Sequence, residues 1–306
     1  MELRQLQYAI QIAAERNFSR AAEKLHIAQP SLSQQLSKLE KEIGVLLFQR
    51  NTNSVELTHA GAAFINQAQK IIDAVDQLKQ EMADISNTRT GKVVVGSMPI
   101  TGSHILPHVL PVFQEKYPDI EMVLVEDTSA DLEKLTANGQ TDFSLLSLPL
   151  QEPSLAYEPV IEEKIDLAVP PNHILAALSN CNPERLIRIE DLKDEPFIIL
   201  KKGQGFRQIT IELCQAAGFT PRIVFESSNM ETVQSLVAAG MGIAFVPHFI
   251  ARARRSEFIP TYLPLEDPSP KRTLVIAYRR GRYLSKAAEA FIEVFKTTIQ
   301  QQFQSS

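Results

Sequence analysis

Apolar residues at the start of the chain recur at helical spacing. Four of them, three or four positions apart, are Leu3, Leu6, Ile10 and Ala13. This period predicts an amphipathic helix that ends near Asn17. A second helix is expected to follow, with Ser19 as its N-cap, an end near His26, and an apolar face formed by Ala21, Ala22 and Leu25.

A third helix is predicted to begin around Pro30, which is tolerated in a first helical turn because its missing N–H would have no partner there. Gly44 is expected to end it, and its buried face to contain Leu32, Leu36, Leu39 and Ile43. Two short helices joined by a tight connection, the second with small polar side chains on its outer face, are typical of a helix-turn-helix DNA-binding unit.

Residues 46–61, LLFQRNTNSVELTHAG, alternate apolar and polar positions around the turn-forming centre NTNS. The pattern predicts a two-stranded wing with Arg50 and Asn53 near its tip. Residues 1–50 contain seven Lys or Arg and five Glu, a surplus of two positive charges. Because this surplus is small, DNA affinity is expected to depend also on dimerisation and on backbone N–H contacts.

Residues 1–58 are therefore predicted to form a winged helix-turn-helix domain. Glutamine can form two hydrogen bonds with adenine, serine can reach bases or phosphates, and a basic side chain supplies charge for the DNA backbone. The residues predicted to contact DNA are Ser19, Gln29, Pro30, Ser31, Ser33, Gln34, Lys38, Arg50 and Asn53.

From His59 to about Asn87 the chain contains no proline. Its apolar positions alternate four and three apart, as in a heptad repeat: Phe64, Ala68, Ile71, Val75, Leu78, Met82 and Ile85. Residues 59–90 are therefore predicted to contain a long linker helix that pairs with a second copy as a coiled coil. The alternative is a core helix packed on its own domain, although such a helix usually has a broader apolar stripe.

From residue 91 to residue 306 the pattern changes to strands alternating with helices. KVVVGS, IEMVLVE and DFSLLS are typical of strands, and the segments between them are typical of helices. We expect an α/β fold with parallel strands. Its length suits two linked lobes, lobe 1 at about 91–161 and 269–306 and lobe 2 at about 162–268.

The composition is that of an ordinary globular protein, with 44% hydrophobic and 22% charged residues among 306. The formal net charge is −5, so any contact with DNA must come from a local patch. Charged residues such as Glu2 and Arg4 interrupt any leader-like apolar run, and Pro, Gly and polar residues break the uncharged stretches. A cytoplasmic protein without membrane contact is expected. Cys181 and Cys214 are predicted to be reduced core thiols.

The motifs resemble those of a known family. FSRAAEKL, QPSLSQQLSKLE, LFQR and LTHAG are similar to the patterns F-x-x-A-A-x-x-L, Q-P-[AS]-[LV]-S-x-[QR]-[IL]-x-x-L-E, L-F-x-R and L-T-x-A-G of LysR-type transcriptional regulators. The resemblance continues through SADLEKLTANGQTDFSL and VAAGMGIAFVP, so it extends over the whole chain. Two positions depart from the pattern, since no second arginine follows Arg50 in the wing and Gln34 stands where several members have arginine.

This resemblance implies a winged helix-turn-helix, a long dimerisation helix and a two-lobed effector domain of the periplasmic-binding-protein type. It also implies a homodimer that assembles into a homotetramer on double-stranded promoter DNA, with RNA polymerase as a further partner and no cofactor. In such proteins a small-molecule effector binds in the cleft between the lobes. Lobe closure on binding is then expected to alter the spacing of the two recognition helices.

Local chemistry indicates where an effector would bind. The strand KVVVGS runs directly into MPITGSHILPHVL, which places five residues at a strand end and a helix N-terminus: Ser97, Pro99, Thr101, Gly102 and Ser103. Free N–H groups and hydroxyls in such a place favour an anion. The alternative is that these hydroxyls serve only as helix caps. Ser147, at the end of another predicted strand, is expected to face the same cleft.

The second lobe is expected to contribute two further turns. LKKGQGFRQ and ESSNM provide the candidate residues Lys201, Gly203, Gln204, Phe206, Ser227 and Asn229. Lys201 and its neighbour Lys202 would neutralise a carboxylate, although neighbouring lysines on a loop are more often simply solvated. The sequence therefore predicts a small carboxylate or other anion as the effector.

Two rival functions remain open at this stage. A solute-binding protein that delivers its ligand to a transporter would need the α/β lobes but not the helical first 90 residues. An α/β enzyme would need a catalytic constellation, but GQGFRQ and GMGIAF lack the third glycine of a dinucleotide motif, and the chain contains no G-x-S-x-G, H-E-x-x-H or P-loop motif.

His104 and His108 are four positions apart but have no third ligand nearby, so no metal site is expected. The sequence thus predicts a sequence-specific DNA-binding regulator controlled by a small molecule, and not an enzyme.

Overall fold

The structure is a computed structural model that describes residues 1–50, 55–85, 91–181, 186–252, 258–266 and 269–303. At residues 50, 179–181, 251, 252, 302 and 303 it describes the backbone alone. The chain divides into two compact units, residues 1–88 with 138–140 and residues 89–137 with 141–306.

The first unit has the predicted order of elements. Its helices are α1 (Leu3–Glu15), α2 (Phe18–Lys24), α3 (Gln29–Ile43) and α4 (His59–Ile85), and its strands are β1 (Phe48–Arg50) and β2 (Val55–Leu57). The two strands pair antiparallel, with Phe48 opposite Leu57, and form the wing. The predicted tip of the wing, including Asn53, lies outside the described residues.

The prediction that Ser19 caps the second helix is wrong. Helix α2 begins at Phe18, and its N-cap is Asn17, whose Oδ1 accepts hydrogen bonds from the N–H groups of Ser19 and Arg20 at 2.9 and 3.1 Å. An asparagine oxygen at this position satisfies two N–H groups that have no partner within the helix. Ser19 is instead an exposed residue of the first turn.

Small and branched side chains build the core of this unit. Ala21 and Ala22 of α2 pack with Leu32, Leu36 and Leu39 of α3, and all five are buried. The small alanines allow the two helices to lie close together. Gly44 ends α3 with φ 75°, as predicted from its lack of a Cβ.

Two polar side chains from the quoted motifs, Glu40 and Thr58, fix the segment that leads into the wing. The Glu40 carboxylate accepts hydrogen bonds from the N–H groups of Leu47 and Phe48 at 2.7 and 3.3 Å, where the chain enters β1. The Thr58 hydroxyl donates to the carbonyl of Leu46 at 2.7 Å and accepts from the N–H of Gly61 at 2.8 Å. These two side chains therefore join α3 and α4 to the segment that leads into the wing.

The apolar seam of α4 has two parts. Phe64 packs against the core of the first unit and Ala68 is buried. Further along, Leu78 is 58% exposed, Met82 51% and Ile85 69%. The alternative of a helix packed on its own domain thus describes only the first turns, and within the described chain the later seam positions face solvent.

The second unit alternates strands and helices. In chain order its elements are β3 (Gly91–Ser97), α5 (Pro99–His104), α6 (Leu106–Lys116), β4 (Ile120–Glu126), α7 (Ser129–Ala137), β5 (Phe143–Ser147), β6 (Leu155–Val169), α8 (Ile174–Cys181), a 3₁₀ turn (Ile189–Leu192), β7 (Pro196–Leu200), α9 (Gly205–Ala216), β8 (Arg222–Ser227), α10 (Met230–Ala238), β9 (Ala244–Pro247), α11 (His248–Arg252), β10 (Thr261–Pro264), β11 (Lys271–Arg279) and α12 (Lys286–Phe303).

The predicted α/β class is confirmed, but the expectation of parallel strands holds only in part. Strand β3 pairs parallel with β4 and β5, and β7 pairs parallel with β8. Strands β9, β10 and β11 each pair antiparallel with β6, and β11 also pairs antiparallel with β5. Helical crossovers connect the parallel strands, whereas β6 and β11 run between two groups of strands and are not part of such a crossover.

The 15-residue strand β6 joins two lobes. It pairs with β11 from Leu155 to Lys164 and with β9 and β10 from Ile165 to Val169. We call the part built on β3, β4, β5 and β11 lobe 1, and the part built on β7, β8, β9 and β10 lobe 2. Aromatic rings pack against each other in both cores, edge-to-face for Phe113 with Phe291 in lobe 1 and tilted for Phe197 with Phe245 in lobe 2.

Candidate functional site

The outer face of α3 is a polar, solvent-facing surface. We call it the recognition surface and define it by Gln29, Pro30, Ser31, Ser33, Gln34 and Lys38. Ser33 is half-buried and the other five are exposed, because Leu32, Leu36 and Leu39 turn the opposite face into the core. Helical spacing places Pro30, Gln34 and Lys38 along one stripe of this surface.

The turn before α3 has an unusual backbone. His26 lies in the left-handed region with φ 53°, and the N–H groups of His26 and Ile27 donate to the carbonyls of Glu23 and Ala22, both at 3.0 Å. These two bonds close α2 as a Schellman motif and redirect the chain sharply. The tight connection of a helix-turn-helix is therefore formed without a glycine.

The N-terminus of α3 is open. Its N-cap is Ala28, which has no side-chain oxygen to cap the first N–H groups, and Pro30 lies in the first turn. Because these N–H groups carry the positive end of the helix dipole, they can donate hydrogen bonds to a phosphate oxygen.

Basic side chains around this surface differ in their pairing. Lys24 forms an ion pair with Glu15 at 2.6 Å, and the hydrogen bond from Lys24 lowers the pKa of that carboxyl. Lys38 forms no ion pair with any residue that the structure describes. Of the other predicted DNA contacts, Ser19 is exposed in α2, the backbone of Arg50 ends β1 and its side chain is not described, and Asn53 lies outside the described residues.

A cavity of about 460 Å³ lies between the two lobes, and we call it the larger cavity. Lobe 1 contributes Ser129, Glu133 and Ser147 to its lining, and lobe 2 contributes Lys202 and Arg207. The N-terminal ends of α7 and α9 therefore meet at this cavity.

The hydroxyl of Ser147 is the clearest sign of a binding group in the larger cavity. Ser147 is only 5% exposed, and its Oγ has no hydrogen-bond partner among the described residues. A buried hydroxyl without a partner is destabilising, by roughly 1–3 kcal/mol. A ligand or water in the larger cavity would remove that cost.

The charged side chains of the larger cavity differ in whether they have a hydrogen-bond or ion-pair partner. Glu133 is buried, and its Oε2 accepts hydrogen bonds from the N–H groups of Gln151 and Glu152 at 2.8 and 2.7 Å. Arg207 pairs with Glu226 at 2.7 Å. Lys202 is exposed and forms no ion pair within the described chain, so its charge is available to a ligand.

A second cavity between the lobes, of about 230 Å³, is called the smaller cavity. Pro99, Ser103 and Glu126 line it from lobe 1, and Asn229 and Glu231 line it from lobe 2. The Asn229 side chain also caps α10, where it accepts from the N–H groups of Glu231 and Thr232. Gln204 lines both cavities.

Two hydrogen bonds connect the lobes directly. Ser129 Oγ accepts from the N–H of Gly205 at 3.0 Å, and the N–H of Ala130 donates to the carbonyl of Gly203 at 3.3 Å. A Cβ on residue 205 would lie 3.0 Å from Ser129 Oγ, so a glycine there allows α7 and α9 to approach. These bonds hold the lobes together at the place where ligand binding is expected.

The structure separates the twelve predicted effector residues into groups. Pro99, Ser103, Gln204 and Asn229 line the smaller cavity, and Ser147, Gly203 and Gln204 line the larger one. Six line neither cavity: Ser97, Thr101, Gly102, Lys201, Phe206 and Ser227.

Local bonds and packing explain several of these placements. The hydroxyls of Ser97 and Ser103 donate to the nearby carbonyls of Met98 and Pro99 at 3.1 and 2.9 Å. Thr101 and Phe206 are buried, and the Ser227 hydroxyl accepts from the N–H of Asn229. The hydroxyls of Ser97 and Ser103 therefore bond to backbone carbonyls at α5. Neither caps the helix, because the N-cap residue of α5 is Met98, which has no side-chain cap.

Sequence reasoning named Lys202 beside Lys201 but did not single out several other polar residues that line the cavities, among them Glu126, Ser129, Glu133, Arg207 and Glu231. Glu126 and Ser129 flank the turn from β4 into α7, which has the same strand-to-helix pattern that singled out Ser97 and Lys201. That pattern was a usable signal for these two. The local pattern could not show which strand ends face each other across the cleft between the lobes.

Two further findings concern other kinds of site. Within the described ranges, no three His, Cys, Asp or Glu side chains are grouped so that they could hold a metal ion, and no helix is long and apolar enough to cross a membrane. Cys214 is a free, buried cysteine, as predicted, and burial raises the pKa of its thiol to about 12. The side chain of Cys181 is not described.

Comparison with known proteins gives two family matches. Residues 3–62 match the model described as "Bacterial regulatory helix-turn-helix protein, lysR family", and residues 86–300 match the LysR substrate binding domain. The second match alone covers more than half of the chain.

Individual relatives agree over nearly the full length. The HTH-type transcriptional regulator YcgK of Bacillus subtilis is 39% identical over 99% of this chain and 96% of its own. A hydrogen peroxide-inducible genes activator of Pectobacterium carotovorum is 32% identical over 92% of this chain and 93% of its own. A structure of a full-length OxyR variant from Pseudomonas aeruginosa superposes with a TM-score of 0.75 at 29% identity, covering 98% of this chain and 95% of the other. The chain therefore belongs to the LysR family of bacterial transcriptional regulators.

Proposed function

We propose that this regulator binds a split, near-palindromic site on double-stranded promoter DNA, and that a small carboxylate or other small anion bound between the lobes controls it. The LysR family consists of transcriptional regulators, which are not enzymes. The helix-turn-helix unit also distinguishes the chain from a solute-binding protein.

The recognition surface supports the DNA contact. In this proposal Gln29, Ser33 and Gln34 reach base edges in the major groove, and Lys38 and Arg50 neutralise phosphates. The open N-terminus of α3 adds backbone N–H contacts to phosphate. Together these contacts compensate for the small surplus of positive charge in the first 50 residues.

The later part of the α4 seam supports self-assembly. Ile71, Leu78, Met82 and Ile85 are exposed apolar side chains on one heptad face. A second α4 would bury them and hold two recognition surfaces at the spacing of successive major grooves. We propose a homodimer formed through this seam and a homotetramer built from two such dimers, which contacts RNA polymerase at the promoter.

The unpartnered hydroxyl of Ser147 is the observation that carries the anion proposal. It is a buried donor in the larger cavity, and Lys202 lines the same cavity with no ion-pair partner in the described chain. A carboxylate would accept from the hydroxyl and neutralise the ammonium group. Hydrogen bonds to a charged group contribute roughly 1.5–3 kcal/mol each.

Control by the anion would work through the relation between the lobes. Ser129, Ala130, Gly203 and Gly205 already join them, and a ligand that touches Ser147 and Lys202 adds a further bridge. Such a ligand favours the closed arrangement by its difference in affinity for the closed and open states. The proposal does not require any change in total DNA affinity.

Isothermal titration calorimetry on the full chain tests the anion proposal. Small mono- and dicarboxylates would be titrated, each beside its neutral amide. At least one carboxylate is expected to bind at least tenfold more tightly than its amide, and Ser147→Ala and Lys202→Gln should each weaken it about tenfold. Lys193→Gln, an exposed lysine that lines neither cavity, is the matched control. Equal binding of carboxylates and amides would overturn the proposal.

The peroxide-inducible relative raises peroxide as an alternative signal. A cysteine that reacts with peroxide must be available as a thiolate. Cys214 is fully buried and its pKa is raised to about 12, so it does not meet that requirement. The side chain of Cys181 is not described. The small-anion proposal uses neither cysteine, so it predicts that footprints on DNA are the same before and after exposure to hydrogen peroxide.

A further inference from the structure

The two cavities between the lobes differ in charge. The larger cavity is lined by Lys202, which forms no ion pair within the described chain, and by Arg207, which pairs with Glu226. Its one acidic lining residue among those described, Glu133, is held by two backbone N–H groups. The smaller cavity is lined by Glu126 and Glu231, with no lysine or arginine among its described lining residues. The cleft therefore has a basic end and an acidic end.

The two carboxylates that line the smaller cavity are not neutralised by a basic side chain within the described chain. Neither Glu126 nor Glu231 forms an ion pair with any described residue. Glu126 is the last residue of β4, and a Cβ built on Gly102 would lie 2.8 Å from its Oε1, so the absence of a side chain at 102 gives this carboxylate its place over α5. Glu231 lies in the first turn of α10, where the helix dipole stabilises its charge.

These two like charges come from opposite lobes. Two carboxylates facing one cavity repel each other, which opposes closure of the lobes. A cationic group placed between them converts that repulsion into attraction and so favours the closed state. The imidazole of His104, the remaining ionisable group among the described lining residues, is buried and packs edge-to-face against Phe249, with ring centroids 5.7 Å apart.

The rest of the lining suits a short organic ligand. Ile100, Leu200 and Met230 give the smaller cavity an apolar wall that fits methylene groups. Gln204 lines both cavities, so the two are neighbours within the cleft. At the basic end the buried, unpartnered Ser147 hydroxyl gives an independent indication of a ligand.

We infer that the effector is a zwitterion, a small molecule that carries a cationic amine as well as a carboxylate. The carboxylate binds in the larger cavity at Ser147 and Lys202, and the amine binds in the smaller cavity between Glu126 and Glu231. This inference rests on the proposed anion site and adds the amine to it. Amino acids and their ω-amino relatives are the chemical class that fits.

Calorimetry with paired probes tests the amine. The full chain would be titrated with L-amino acids and with ω-amino acids of three to six carbons, each beside the carboxylate of equal length that lacks the amine. At least one amino acid is expected to bind at least tenfold more tightly than its amine-free partner. Equal affinity would overturn the inference while leaving the anion site standing, and binding of neither class would overturn both.

Substitution of the two carboxylates tests where the amine of the ligand binds. Glu126→Gln and Glu231→Gln keep the shape of the side chain and remove its charge, so each should reduce affinity for the amino acid by about tenfold and leave the amine-free carboxylate unaffected. Glu121→Gln removes the same charge at the other end of β4, away from both cavities, and is the matched control. An unchanged preference for the amine in both test variants would contradict its placement in the smaller cavity.

Discussion

The backbone of Gly61 lies so close to the carbonyl oxygen of Leu47 that a Cβ on residue 61 would stand 1.9 Å from that oxygen. The contact joins the first turn of α4 to the segment entering β1. It also explains the glycine in LTHAG, since any side chain at this position would push the linker helix away from the wing.

Gly61→Ala is therefore expected to destabilise the first unit by roughly 1–3 kcal/mol, because the obstructing atom belongs to the backbone and cannot rotate away. Thermal unfolding monitored by circular dichroism measures the loss. Gly91→Ala serves as control, since a Cβ there meets only an ordinary contact with the Ala287 side chain at 3.4 Å. Equal stability of the two variants would contradict the close approach.

Leu78→Asp should dissociate the assembly. Leu78 is 58% exposed in the single chain and lies on the heptad face of α4, so a second α4 would place the new carboxylate in an apolar interface. Light scattering coupled to size-exclusion chromatography measures the mass. Lys70→Asp, at an exposed position of the same helix outside the seam, should leave the mass unchanged. If Leu78→Asp also leaves it unchanged, α4 is not the dimer interface.

Changes on the recognition surface should separate base contacts from phosphate contacts. Gln34→Ala is expected to lose roughly 1–3 kcal/mol of discrimination at one base position. Lys38→Ala should weaken binding to every sequence about equally and reduce the salt slope by about one. Binding to single-base variants of the operator at several salt concentrations distinguishes the two. A uniform loss from Gln34→Ala would remove it from base recognition.

The Cys214 thiol should be unreactive in the folded protein. With a pKa of about 12, roughly one thiol in 10⁴ is ionised at pH 8, whereas a free cysteine of pKa about 8.5 would be ionised at about one in four. A Cys181→Ala variant isolates Cys214, and its rate with a disulfide reagent should rise steeply only on unfolding. Rapid labelling of the native variant at pH 8 would show that the thiol is exposed.

Local patterns were sufficient for much of the fold. The three-four spacing of apolar residues predicted α1, α2, α3 and α4. Pro30, which a first helical turn tolerates, marked the start of α3, and Gly44, which adopts a positive φ without strain, marked its end. The error at Ser19 arose because Asn17, two residues earlier, is also a favoured N-cap type, and it is the Asn17 side chain that accepts from the N–H groups of Ser19 and Arg20.

Other features depend on contacts between distant parts of the chain. The sequence did not predict four features: the first half of β6, the whole of β10, and the short helices α8 and α11. For β6 the reason is that its partner strands come from distant segments, within residues 244–279. The contact between the lobes at Ser129 and Gly205 joins residues that are 76 positions apart. Sequence patterns placed candidates at strand ends. Only the tertiary structure shows that the Ser147 hydroxyl has no hydrogen-bond partner among the described residues and that the Ser97 hydroxyl is bonded to a neighbouring carbonyl.

Footprinting of the purified full chain on the DNA beside its own gene tests the central claim most directly. The experiment would be run at two salt concentrations, with and without a panel of small carboxylates and amino acids. We expect protection of a split, two-part site that persists at the higher salt and shifts in extent with one class of compound. Protection that is independent of sequence, lost at the higher salt and unaffected by every compound would contradict the account.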